Sequence, residues 1–141
     1  MNYPEKKMQE SDVLAAWSLA QSHLLKKNIL LPSGFQSVAI KLERGAFPTP
    51  MASGPAREKP IWVIGYDLGN LTTDVLEKGI PEIEVNDWLV YLFVHEFVHS
   101  LYPGASRDVD EAVDGMVIAN FPEFKKYARC YYTDSRRCQW D

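Results

Sequence analysis

Residues 88–101 read WLVYLFVHEFVHSL, a run in which Glu96 alone carries a full formal charge. Apolar side chains at every angle around a helix leave no face for water, so this segment must be a helix buried on all sides, and the rest of the chain must supply the layers that bury it. Set into the same helix are His95, Glu96 and His99, in an H-E-x-x-H pattern. Burying a carboxylate and two imidazoles is costly unless each finds a partner. Two histidines four residues apart lie one turn above the other on one helix face, so their nitrogens can converge on a single divalent metal. Glu96, one position around from His95, is then placed to act as general base toward a water activated by that metal. The plainer alternative is that the three groups satisfy one another or backbone atoms in a core. A motif this short also arises by chance; its weight comes from the buried helix that carries it, because metal ligation accounts for all three polar groups together.

The whole chain narrows the classes open to it. Its 141 residues, 46% hydrophobic and 24% charged, suit one globular domain, residues 1–141, around one core. A formal charge of -4, with no run of Lys or Arg longer than a pair, argues against a nucleic-acid binder. The opening MNYPEKKMQE lacks the apolar core of a signal peptide, and no apolar stretch reaches bilayer length, so the expectation is a cytoplasmic protein with no membrane association. Cys130 and Cys138 are too few for a disulfide framework. Free thiols are expected, with a small C-terminal disulfide loop as the alternative, and their spacing fits no zinc ribbon.

Along the chain, Ser11 is placed to cap a helix to about Lys27 whose stripe is Val13, Trp17, Ala20 and Leu24. Val38, Ile40 and Leu42 alternate in residues 35–42, which reads as a half-buried strand. Pro and Gly punctuate residues 45–60, which read as a long irregular loop. Residues 61–66 (IWVIGY) read as a second strand, and a short helix capped by Thr73 or Asp74 follows within 67–80. Asn86 is set to cap the motif helix, with Val85 and Val90 as a hydrophobic staple, and Tyr102-Pro103-Gly104 to end it. Ser106 can cap a further helix to about Asn120, and Pro122 opens a last one to about Tyr131. The layout is α+β, a small β-sheet packed on the motif helix and on the helix after it.

A zinc site that does chemistry takes three protein ligands and keeps one position for water, so the two histidines are incomplete. No His follows His99, and the third ligand must be a carboxylate from residues 107–117. There Val109, Ala112, Val113, Met116 and Val117 form the inward stripe of a helix. Asp110 and Asp114 share one margin of it, Glu111 points nearly opposite, and Asp108 lies on the other margin. Asp110 is the preferred ligand, with Glu111 and Asp108 as alternatives.

H-E-x-x-H followed on the next helix by Asp110-Glu111-Ala112-Val113-Asp114 resembles the zincin metallopeptidases of the gluzincin type. In those, Glu-x-x-x-Asp supplies the third ligand and an Asp that supports the site; here Asp stands in place of the ligand Glu. The ten residues between His99 and Asp110 are also similar to the aspzincins, whose Gly-Thr-x-Asp signature is absent. The resemblance spans residues 88–118 and implies a minimal zincin-like domain that hydrolyses a peptide or protein substrate. It implies that His95, His99 and Asp110 hold Zn2+, that Glu96 is the general base, and that Asp114 hydrogen-bonds the far nitrogen of a ligating histidine. It further implies that strand 61–66 is an open sheet edge to which an extended peptide adds; an ordinary core strand is the alternative. Tyr102, Arg107, His23, Tyr127, Tyr131 and Tyr132 are all chemically able to stabilise an oxyanion. A binding or inhibitory protein that keeps the core without turnover is the rival function. Retention of Glu96 favours the enzyme, since a structural metal has no use for a base and is normally closed by four protein ligands.

Overall fold

The computed structural model describes residues 8–43 and 49–132. Helix α1 (Glu10–Lys26) buries Val13, Ala16, Ala20 and Leu24, and Gln9 rather than Ser11 caps it, in a reciprocal pair with Asp12. Three strands follow: β1 (Ser37–Leu42), β2 (Met51–Pro55) and β3 (Ile61–Tyr66). They form one mixed sheet in the order β1-β3-β2, with β1 parallel and β2 antiparallel to β3. Two sequence expectations change here. Residues 45–60 are not wholly irregular, because β2 lies within them. Residues 61–66 are not an edge, because β3 is paired on both sides; among the described residues the open edges belong to β1 and β2.

Register gives the sheet two unlike faces. Val38, Trp62 and Pro55 align across it, then Ile40, Ile64 and Ser53, then Leu42, Tyr66 and Met51. Alternation puts these three rows on one face, and Trp62, Ile64, Tyr66 and Met51 are buried there. The other face carries Ala39, Lys41, Ala52, Gly54, Val63 and Gly65. Only the first face has the apolar bulk to pack on a helix.

Helix α2 (Leu68–Lys78) starts earlier than Thr73 or Asp74, because the Asp67 side chain accepts from the backbone N–H of Asn70 at 2.8 Å. It stops at Gly79, whose φ of 67° places it in the left-handed region that glycine enters without strain. Asp74, freed from capping, accepts from Lys78 Nζ at 2.8 Å and from Trp88 Nε1 at 3.1 Å. Helix α3 (Glu82–Val98) also starts early, at Pro81, and Asn86 sits inside it rather than at its cap.

Every residue of α3 from Trp88 to Val98 is buried. Its wrapping comes from all quarters. Trp17 of α1 packs on Phe93 with ring centroids 5.4 Å apart, and the sheet lies against the motif. Helix α4 (Arg107–Asn120) is capped by Ser106, whose hydroxyl accepts from the N–H of Val109. A 3-10 turn (Pro122–Phe124) leads into α5 (Lys125–Tyr132), and Phe124, Tyr127 and Tyr131 surround Tyr91. Cys130 is buried and disulfide-bonded, which corrects the expectation of a free thiol there; Cys138 lies outside the described residues. No helix among the described residues is long and apolar enough to cross a membrane.

Candidate metal centre

The i, i+4 spacing on α3 stacks His95 and His99, with Nε2 of one 3.2 Å from Nε2 of the other. The turn at residues 99–106 then returns the chain so that the first turn of α4 faces the same point. Asp110 Oδ1 lies 2.8 Å from His99 Nε2 and 3.4 Å from His95 Nε2. Four residues on, Asp114 Oδ1 lies 3.0 Å from His95 Nδ1 and takes a hydrogen bond from the Tyr91 hydroxyl. The structure thus brings His95, His99, Asp110 and Asp114 together. It leaves Glu111 out: that side chain is 60% exposed, beside Arg107. Asp108 is exposed as well.

The donor set fits a zinc ion. Tetrahedral ligands about 2.0 to 2.1 Å from zinc stand roughly 3.3 Å from one another. The three edges here are 3.2, 2.8 and 3.4 Å. Two imidazole nitrogens and one carboxylate oxygen are ordinary zinc ligands, and three of them leave the fourth tetrahedral position open.

Charge is arranged to match. Burial opposes protonation of His95, but Asp110 and Asp114 on its two nitrogens outweigh it and lift the pKa to about 10. In return His95 is the chief influence holding Asp110 below the ordinary aspartate range. A divalent cation bound by these atoms displaces the proton that His95 would otherwise carry.

Glu96 sits beside the ligand set and outside it. It is 4% exposed, and burial pushes its pKa above the ordinary carboxyl range, partly offset by His95 and by the Ser53 hydroxyl. Ser53 Oγ donates to Glu96 Oε1 at 2.6 Å, and Trp62 Nε1 donates to the Glu96 carbonyl at 3.0 Å. Sequence reasoning missed Ser53, Trp62 and Tyr91. Ser53 was hidden in a Pro- and Gly-rich stretch; only the alternation of Met51, Ser53 and Pro55 could have hinted at a strand.

Among the described residues, one of the groups able to stabilise an oxyanion packs against the site. The Tyr131 ring packs on His95 with centroids 4.7 Å apart. Burial, with Glu96, Asp110 and Asp114 nearby, pushes its phenol up, so it remains an O–H donor. Of the others, Tyr127 donates to Glu84, Arg107 lies against Glu111, His23 packs on Phe121 and Phe124, and Tyr102 is exposed. The Tyr132 side chain lies outside the described residues.

Two further features border the site. Pro50 and Ala56 hydrogen-bond across to Asp67 and Ile61 of the β3 side, so by the alternation of an antiparallel ladder the backbone groups of Met51, Ser53 and Pro55 face the open edge of β2. Pro55, which has no N–H, sits where none is required for pairing. A cavity of about 230 Å³ lies at the Met51 end of β2, lined by Met51, Asp74, Lys78, Trp88, Leu92 and Tyr131 among others. Comparison of the chain with family models, characterised proteins and solved structures finds no match.

Proposed function

We propose that the protein is a zinc-dependent peptidase, built on the pattern that resembles the zincins. The observation that carries this reading is the division of labour among buried groups. Three ligand atoms close on one point, while a fourth group, the buried acid Glu96, is held beside them by a sheet hydroxyl instead of joining them. A site meant only to hold a metal has no use for that arrangement.

His95, His99 and Asp110 would hold the ion. Zinc bound there supplies Lewis acidity and makes water a usable nucleophile near neutral pH. Glu96 takes the proton of the attacking water and returns it to the leaving amine. Asp114 holds His95 in one tautomer through Nδ1, and Tyr131 offers its O–H to the oxygen that gains charge. An extended substrate adds to the open edge of β2, using the backbone groups of the half-buried Ser53. The neighbouring cavity is smaller than the roughly 300 to 1,000 Å³ of a drug-sized site and so suits a single side chain. With Asp74 already bonded to Lys78 and Trp88, that side chain is apolar or aromatic rather than charged.

The test is Glu96→Gln. Protein loaded with zinc should cleave a mixed peptide library, and the variant should bind the same zinc and lose cleavage by at least about a hundredfold. Equal hydrolysis by the two proteins refutes the reading. Zinc binding with no hydrolysis by either points to a silent binding protein.

A further inference from the structure

Ser53 meets the candidate site twice, once with its side chain and once with its backbone. Glu96 lies in the last turn of α3, where carbonyls lose their helical partners; the N–H of Ser100 goes to Phe97 instead. The indole of Trp62 takes up the Glu96 carbonyl at 3.0 Å. The Ser53 hydroxyl, 3.1 Å from that carbonyl and 2.6 Å from Oε1, is therefore free to serve the carboxylate. The shorter distance makes the carboxyl oxygen the nearer partner of the hydroxyl. Among the described residues it is the one hydrogen bond made to the Glu96 carboxylate. The backbone N–H and C=O of the same residue face the open edge of β2, as the ladder bonds at Pro50 and Ala56 require.

We propose that Ser53 is a positioning residue that couples substrate docking to the setting of the base: its backbone receives the substrate strand while its hydroxyl fixes the rotamer of Glu96. The inference rests on the peptidase reading. A buried glutamate has three rotatable bonds and reaches a reacting atom only if one rotamer is held. Were α3 alone to hold it, the distance from base to scissile bond would depend on how two layers pack. With Ser53 holding both, that distance is spanned by one residue, and errors of about 1 Å in such distances cost rate heavily. On the inner face of β2 the neighbours are Met51 and Pro55, neither of which carries a donor that could replace the hydroxyl.

The experiment compares the parent, Ser53→Ala and Ser53→Thr by crystallography of metal-free protein and by kinetics of zinc-loaded protein. Threonine keeps the hydroxyl and suits a strand. The parent and the threonine variant should show Glu96 in one rotamer against residue 53, and the alanine variant should spread it over more than one. Ser53→Ala should lower kcat about ten- to a hundredfold, with KM changed by less than about twofold and zinc content unchanged, and Ser53→Thr should restore most of kcat. Glu96 held in the same single rotamer in Ser53→Ala overturns the proposal, as does an unchanged kcat. If the parent and Glu96→Gln hydrolyse alike, the peptidase reading falls and takes this inference with it. Loss on Glu96→Gln without loss on Ser53→Ala sinks this inference alone.

Discussion

Asp114 Oδ1 stands 3.0 Å from Nδ1 of His95, on the far side of the ring from Asp110. The N–H at Nδ1 therefore donates to Asp114, and Nε2 is the nitrogen turned toward His99. Helix α4 grips one imidazole from both sides with residues four apart. Removing this support while keeping the three ligands should weaken zinc binding without abolishing it. Asp114→Ala is expected to raise the zinc Kd by roughly 10- to 100-fold, read by competition with a chelator. An unchanged Kd would show that α3 alone orients the ring.

Asp110 and Glu111 are adjacent, yet only Asp110 faces the histidines. Asp110→Ala should reduce zinc in purified protein from about one ion per chain to a small fraction, and Glu111→Ala should leave it unchanged. Elemental analysis of the two variants side by side decides the matter; the reverse pattern would mean that α4 is rotated from its place here.

The pKa of His95, raised to about 10, makes a prediction with a definite sign. Metal-free folded protein keeps this proton at neutral pH, whereas an unfolded histidine loses it near 6.5. The stabilisation is complete below about 6.5 and is lost as the pH climbs toward 10. Asp110, with its lowered pKa, acts at the other end: its share is present above the ordinary aspartate range and lost in acid. Stability measured with a chelator present should therefore fall from about pH 7 to 10, and zinc uptake at pH 7 should release a proton. Denaturant titrations across that range, with calorimetry in two buffers of different ionisation enthalpy, test both halves. Chelated protein with flat stability up to pH 10 would rule out a charged His95.

Trp62 ties the sheet to the motif helix through its indole N–H on the Glu96 carbonyl. Trp62→Phe keeps an aromatic ring against Phe35 and removes that donor from a buried acceptor. A loss of about 1 to 3 kcal/mol in urea unfolding is expected. A loss well below that would mean that Ser53 takes over the carbonyl.

The sequence could be read wherever neighbours along the chain decide the structure. An apolar circumference made residues 88–98 a buried helix, the i, i+4 spacing stacked His95 on His99, and the stripe of α4 put Asp110 and Asp114 on one margin. Caps were less legible. Asp67 and Pro81 begin α2 and α3 ahead of Asp74 and Asn86: the Asp67 side chain accepts from the N–H of Asn70, and the Pro81 carbonyl accepts from the N–H of Glu84. The sheet was half legible: β1 and β3 show alternation and β-branched residues, whereas β2 is MASGP, whose residues signal a loop.

What the sequence determined by itself was the helical spacing of the two histidines and the base, together with the need to bury them, since both follow from 3.6 residues per turn and the hydrophobic pattern. Only the tertiary structure decided that Asp110 and not Glu111 faces the histidines, that β3 is central, and that β2 brings Ser53 to Glu96. Those facts depend on pairing between segments far apart in the chain. In Ser53 and Glu96, 43 residues apart, no local periodicity records the contact.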